Sequence, residues 1–155
     1  MIQYAPIMDK KQSSAVRFTR HPDLEQIELR YSHYTARIFD RHTHDAYSIG
    51  IITQGATRFR RYAPANQNIL AGQQEIVFIN PGEVHACNPQ PGSDFAYYML
   101  YLDESFVQEF ALQHARYPAG QISFNQSVTR DRILYNRLLH LCNAITRPSS
   151  RLERD

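Results

Sequence analysis

His42-Thr43-His44-Asp45-Ala46-Tyr47, answered further along by Asn80-Pro81-Gly82-Glu83-Val84-His85, is the stretch whose reading decides the fold. Alternate side chains of a strand share a face, so His42 and His44 point the same way. A third histidine placed after a Pro-Gly turn, His85, can approach them across a barrel. Three converging imidazoles form a facial set of metal ligands. The same rings, hydrogen-bonded, also serve as ordinary core residues.

Outward from these motifs the pattern is β throughout residues 26–102. Candidate strands are Ile27–Ser32, Thr35–Phe39, Tyr47–Thr53, Thr57–Tyr62, Asn68–Leu70, Glu75–Asn80 and Phe95–Leu102. They are short, rich in Ile, Val, Phe, Tyr and Thr, and separated by turn chemistry at Gly55, Ala63-Pro64-Ala65-Asn66, Gly72, Pro81-Gly82 and Pro89-Gln90-Pro91-Gly92. Short strands at this spacing, without helical crossovers, predict a sandwich or barrel. Residues 1–22 read as an arm with one short strand around Ala15 to Thr19.

Beyond residue 103 the period becomes helical. Ser105 can cap a first helix carrying Phe106, Val107, Phe110 and Ala111, broken at Tyr117-Pro118-Ala119-Gly120. A second helix is expected from about Thr129, its cap, to Thr146, with Asp131 in the first turn and Arg147-Pro148 as its end. Leu134, Leu138, Leu141 and Ile145 form one apolar stripe; Tyr135, Leu139 and Cys142 run beside it. A helix that only covers a barrel needs one stripe. The second suits packing on a partner, so Leu134, Leu138, Leu141 and Ile145 are the expected interface of a homodimer; a core wholly within the chain is the alternative.

Composition narrows the function. The chain has 155 residues, a net charge of +2, 43% hydrophobic and 21% charged residues, which predicts one ordered domain with an appendage. Arg58-Phe59-Arg60-Arg61-Tyr62 is the densest basic group, and a strand with one wet face accounts for it. DNA binding by the chain itself is not expected. Cys87 and Cys142 suggest reduced, buried thiols in a cytoplasmic protein. No signal peptide and no membrane-spanning run is legible. Gly-x-Ser-x-Gly, a phosphate loop and Cys-x-x-Cys are all missing, so covalent catalysis has no motif.

His42-Thr43-His44, Gly50, Gly55, Gly72 and Pro81-Gly82-Glu83-Val84-His85 together resemble the two-part cupin signature. With Tyr97-Tyr98-Met99-Leu100-Tyr101-Leu102-Asp103 leading into a helix, the chain is similar over about residues 15–146 to the N-terminal domains of AraC-type regulators. That resemblance implies a mainly β fold: a cupin-like double-stranded β-helix, or jelly-roll barrel, followed by two α-helices. It implies an arm (1–22), an effector-binding barrel (23–103), a helical dimerisation segment (104–148), and a linker start (149–155) leading to a helix-turn-helix DNA-binding domain that the chain does not include. The expected function is effector sensing and dimerisation. A small polar metabolite in the barrel would control DNA binding by the absent domain, without enzymatic activity and without a cofactor. The mechanism needs a ligand that binds two arrangements of arm, barrel and helices unequally.

Parity then proposes the ligand-binding residues. With His42 and His44 inward, Ser48, Gly50, Ile52 and Gln54 also face inside unless a bulge intervenes; Tyr47, Ile49 and Ile51 face the other way. His85 inward brings Cys87 with it. Tyr97, Met99 and Tyr101 share a face that parity cannot assign; the resemblance favours Tyr97 and Met99 inward. The metal-binding members of the resembled group carry a Glu where Ser48 stands, so no metal is expected; His42, His44 and His85 are the ligands if there is one. The alternatives are a small metal-dependent cupin enzyme, a dioxygenase or isomerase, and a bare dimerisation module with a filled barrel.

Overall fold

Where Ile, Val, Tyr and Phe alternate with polar residues, the chain makes strands. The computed structural model describes residues 15–35, 39–63, 65–114 and 122–147. In chain order the elements are β1 (Ala15–Thr19), β2 (Ile27–Tyr34), β3 (Tyr47–Gln54), β4 (Ala56–Arg61), β5 (Gln67–Gly72), β6 (Ile76–Ile79), β7 (His85–Pro89), β8 (Phe95–Leu102), α1 (Glu104–Gln113), β9 (Val128–Thr129) and α2 (Arg132–Thr146). The expected strand at 35–39, the break at 117–120, most of the arm and the linker at 149–155 lie wholly or partly outside the described residues.

All pairings are antiparallel. One sheet runs β1-β2-β8-β3-β6-β9 and the other β5-β4-β7. Between them lies one apolar cluster that includes Tyr34, Ile52, Phe59, Val77, Phe95, Tyr97, Met99 and Tyr101. On the outer face of the larger sheet a second cluster joins Ile27, Leu29, Ile51, Ile76, Phe78 and Leu100 to Tyr135, Cys142 and Ile145 of α2. The fold is a jelly-roll of mainly β structure with two helices.

Two turns are pinned by backbone geometry. Gly55 joins β3 to β4 with φ +70, and a Cβ there would collide with the Asp94 carbonyl oxygen. Gly82, at φ +72, makes the turn before β7, where its N–H donates to the His44 carbonyl at 2.8 Å.

The structure corrects four local readings. β7 was not expected: His-Ala-Cys-Asn-Pro has little strand propensity, yet β4 supplies a full antiparallel partner. β9 was also not expected, being too short for any alternation to be read. Asp103, not Ser105, stands at the start of α1. Thr129 does not cap α2, because it pairs with Ile76 in β9; Asp131 does, accepting from Ile133 N–H at 2.9 Å and Leu134 N–H at 3.0 Å.

Helix phase refines the stripes of α2. Tyr135, Cys142 and Ile145 are buried against the sheet, while Leu134, Leu138 and Leu141 are half-buried beside them. The Tyr135 hydroxyl donates to the Ile52 carbonyl at 2.9 Å and fixes the helix to β3. Ile145 therefore leaves the expected dimer interface: it is core of its own chain. α1 buries no residue, and Phe110 and Leu112 stand exposed.

Candidate functional site

The site is assembled by a bridge between the loop ahead of β3 and the start of β7. His42 N–H donates to the His85 carbonyl at 3.0 Å, and His85 N–H returns a bond to the His42 carbonyl at 3.1 Å. His44 lies two residues on, so all three rings meet: centroids are 4.3 Å apart for His42–His85, 4.9 Å for His42–His44 and 5.0 Å for His44–His85. One ligand nitrogen from each lies within 4.8 Å of the others.

Two tautomers follow from the partners. His42 Nδ1 sits 2.7 Å from the Asp40 carbonyl and His85 Nδ1 sits 2.8 Å from the Glu83 carbonyl. A carbonyl only accepts, so each Nδ1 carries the hydrogen and each Nε2 presents a lone pair. His44 Nδ1 is buried without a hydrogen-bond partner among the described residues. Burial holds all three rings neutral. It lowers His42; with His85, His42 and Arg30 nearby it takes His44 to about 3; with His42 nearby it takes His85 to about 4.

Beside the imidazoles stands a buried cation that sequence reasoning missed. β2 alternates, sending Glu28, Arg30, Ser32 and Tyr34 to the inner face opposite Tyr101, Met99, Tyr97 and Phe95 of β8. Arg30 is only 6% exposed. Its guanidinium donates to the Tyr34 hydroxyl and, at 3.5 Å, to the Tyr101 hydroxyl. It also stacks over Phe39 at 5.2 Å and Phe18 at 5.7 Å. An arginine in a strand normally reads as a wet face. The opposite phase of Ile27, Leu29 and the outer cluster was the available signal that it is not.

The expected site residues divide. Ser48 and Ile52 face inward and are buried, with Ser48 Oγ donating to the Ala46 carbonyl at 3.3 Å. Tyr97 and Met99 are inside, and so is Tyr101. Gly50 is inside as well, and lets Met99 lie over it; a Cβ would stand 3.3 Å from the Met99 methyl. Cys87 packs against the inner cluster, where burial pushes its thiol up to about 12, so it is no nucleophile. Gln54 is exposed and leaves the set: the β3–β8 register shifts between Ile52 and Gln54, and that irregularity resets the parity. On the outer side Ile49 and Ile51 meet α2's cluster, as parity required.

A cleft of about 280 Å³ opens beside this interior, lined by Arg20, Glu28, Asp45, Ala46, Tyr101, Asp103, Glu104 and Ser105. Tyr101 is common to both: it lines the cleft, and its ring lies 5.2 Å from His44.

The imidazoles suit a divalent transition metal as three neutral nitrogen donors, two of them oriented by a hydrogen bond at the far nitrogen. Among the described residues no carboxylate joins them as a fourth, anionic donor. Ser48, which stands where the resemblance led a Glu to be expected, carries no charge, and Glu83 Oε2 pairs with Arg61 at 3.0 Å and Asn80 at 3.1 Å.

A model of the AraC-like ligand binding domain family matches residues 26–155. Among solved structures the chain is similar to a cupin superfamily protein from Desulfitobacterium hafniense, at 11% identity and TM-score 0.51 over 63% of this chain and 84% of that one. It is also similar to AerE from Microcystis aeruginosa, at 11% identity and TM-score 0.55 over 81% of this chain and 50% of that one. Oxalate decarboxylase from B. subtilis gives 10% identity and TM-score 0.54 over 83% and 40%. These likenesses are of fold. No curated protein matches.

Proposed function

The chain belongs to the AraC-like ligand binding domain family, and on that premise we propose that it is the effector-sensing and dimerising part of an AraC-type transcription regulator. A small polar metabolite binds between the two sheets, and its binding controls a DNA-binding domain outside this chain. The observation that carries the reading is the set of polar side chains converging on the inner face: Arg30, His42, His44 and His85 with the hydroxyls of Tyr34 and Tyr101. Burying such groups is costly without partners, and a fold needs none of them to close. A wall of such mixed polar and apolar character suits a small polar molecule.

Signal transfer follows from connectivity. β1 pairs along β2, the strand that carries Arg30, and its Phe18 lies under the guanidinium. β1 thereby reaches the proposed ligand site from one side. Tyr101, next to the end of β8 before α1, reaches it from the other. Dimerisation falls to α1 and the outer stripe of α2: exposed Phe110, Leu112 and Ile133 with half-buried Leu134, Leu138 and Leu141. Leu134→Arg with Leu138→Arg is expected to leave a folded monomer; an unchanged dimer places the interface elsewhere.

A second reading, a metal-dependent cupin enzyme, is favoured by one observation: one ring nitrogen each of His42, His44 and His85 lie within 4.8 Å of one another, and the Nδ1 hydrogens of His42 and His85 are held by backbone carbonyls. A bound divalent ion would supply Lewis-acid polarisation there. In that role His42 and His85 would be held in place by the Asp40 and Glu83 carbonyls, and Ser48 would add no charge.

Native mass spectrometry of the protein purified without chelators separates the two. A dimer free of metal, with or without a retained small molecule, is expected. A monomer with one transition metal per chain overturns the sensor reading in favour of the enzyme.

A further inference from the structure

We infer that the outer face of the smaller sheet rests on the sugar–phosphate backbone of double-stranded DNA, held there by Arg41, Arg58 and Arg60. The inference goes beyond the effector site. It rests on the sensor reading only for what brings DNA near: a DNA-binding domain joined to this chain keeps a duplex within reach, so a weak contact suffices.

A net charge of +2 predicts no DNA contact, but it hides a segregation. β4, β5 and β7 contain no Asp or Glu. Alternate residues of β4 share a face. Thr57 and Phe59 are buried inside, so Arg58 and Arg60 stand outside, both exposed, with Tyr62 continuing their row. Across the sheet Arg58 pairs with Leu70 and Asn88, and Arg60 with Asn68 and Ala86. The bridge from His42 to His85 brings exposed Arg41 alongside. The Arg41 guanidinium lies over the Tyr62 ring at 4.7 Å, and that of Arg60 lies over the same ring at 4.8 Å. One shared ring thus keeps two like charges close.

The neighbouring acids are engaged elsewhere. Glu83 pairs with Arg61 at 3.0 Å, Glu75 pairs with Arg130, and Asp94 lies 3.8 Å from His33. Among the described residues Arg41, Arg58 and Arg60 form no ion pair. Like charges gathered on one face repel, and a polyanion laid across them lowers that cost. Arg58 and Arg60 stand about 6.6 Å apart along the strand, close to the spacing of successive phosphates on one nucleic-acid strand. Guanidinium forks match phosphate oxygens, and Asn68 and Asn88 add carboxamide donors beside them. Leu70 is the one exposed large apolar side chain on this face among the described residues, too little for the apolar centre of a protein–protein interface.

Fluorescence anisotropy of the chain on a labelled duplex of arbitrary sequence tests this. Three phosphate contacts predict a slope of about −2.7 in log K against log salt, or roughly forty-fold weaker binding at about 200 mM than at about 50 mM salt. Arg41→Gln, Arg58→Gln and Arg60→Gln together are expected to weaken binding at low salt about tenfold or more and to flatten the slope. Arg58→Lys with Arg60→Lys keeps the charge and should stay within about threefold of the parent; loss as complete as in the Gln variant overturns the phosphate contact. Arg132→Gln with Arg137→Gln removes exposed charge from α2 instead and should change binding by less than about twofold. No binding at low salt, or equal loss from the α2 pair, overturns the inference and leaves the sensor reading standing. So does poly-L-glutamate competing as strongly as unlabelled duplex at equal charge, which makes the partner an acidic protein. A dimer that falls to monomer in the triple Gln variant also overturns it, making the face a contact between copies. If native mass spectrometry returns a metal-loaded monomer while the duplex still binds through these arginines, the sensor reading falls and the DNA-binding face stands.

Discussion

On the outer side of β2, β8 and β3 stand Leu29, Leu100 and Ile51; on the inner side of the same three strands stand Arg30, Ser32, Tyr97, Tyr101 and Ser48. Both sets are buried. The outer set is aliphatic and packs under α2, as a sheet face covered by a helix requires. The inner set buries a guanidinium and hydroxyls where an aliphatic core would have been cheaper. Two faces of one sheet, under the same burial, thus differ in character: the outer is filled by aliphatic packing against a helix, and the inner carries polar side chains among its apolar ones.

The largest expected contrast comes from truncating the outer face. Leu100→Ala should lower unfolding free energy by about 2–5 kcal/mol, through lost transfer energy and the cavity left behind. Denaturant titration reads it; a loss under about 1 kcal/mol would break the claim that this face carries the fold.

Acid should attack the inner face. His44 and His85 sit at about 3 and about 4 in the folded chain and near 6.5 unfolded, so the unfolded chain takes up protons first as pH falls. Stability is full above pH 6.5 and declines between there and about pH 4, by at most roughly 1.4 kcal/mol per pH unit for each histidine. Unfolding free energy measured across that window, beside a His44→Met, His85→Met variant with a shallower slope, checks the sign and the source.

Smaller effects sharpen the frame. Gly55→Ala forces a side chain into positive φ and against the Asp94 carbonyl, at an expected cost of about 1–3 kcal/mol in thermal unfolding. Asp131→Ala removes the cap of α2, and with it about 1 kcal/mol. The smallest effect is expected from Ser32→Ala. Ser32 is fully buried and its Oγ has no hydrogen-bond partner among the described residues, so stability should change by less than about 0.5 kcal/mol. A loss of 2 kcal/mol there would mean the inner polar groups are structural after all.

Much of this was legible beforehand. The His42-Thr43-His44 and Pro81-Gly82 motifs have fixed local geometry, and period-two parity correctly sent Ile52 inward and Ile51 outward. Parity failed where the chain broke its own period: the register shift past Ile52 turned Gln54 to solvent. Arg30 was missed because an arginine in a strand reads as a wet face; the opposite phase of Ile27 and Leu29 was the signal against it, and the pairing Arg30↔Met99 settles it. β7 was missed because its strand character belongs to its partner β4. Ile145 was misplaced because two adjacent stripes on α2 do not say which of them meets the sheet.

The central claim, that the inner face is built to bind and the outer face to hold, is tested most directly by one unfolding measurement at pH 7 on His44→Met. His44 is 5% exposed, and its Nδ1 has no hydrogen-bond partner among the described residues. A methionine of similar volume should leave stability within about 1 kcal/mol of the parent or raise it. A loss matching that of Leu100→Ala would contradict the claim and make the histidine cluster part of the scaffold.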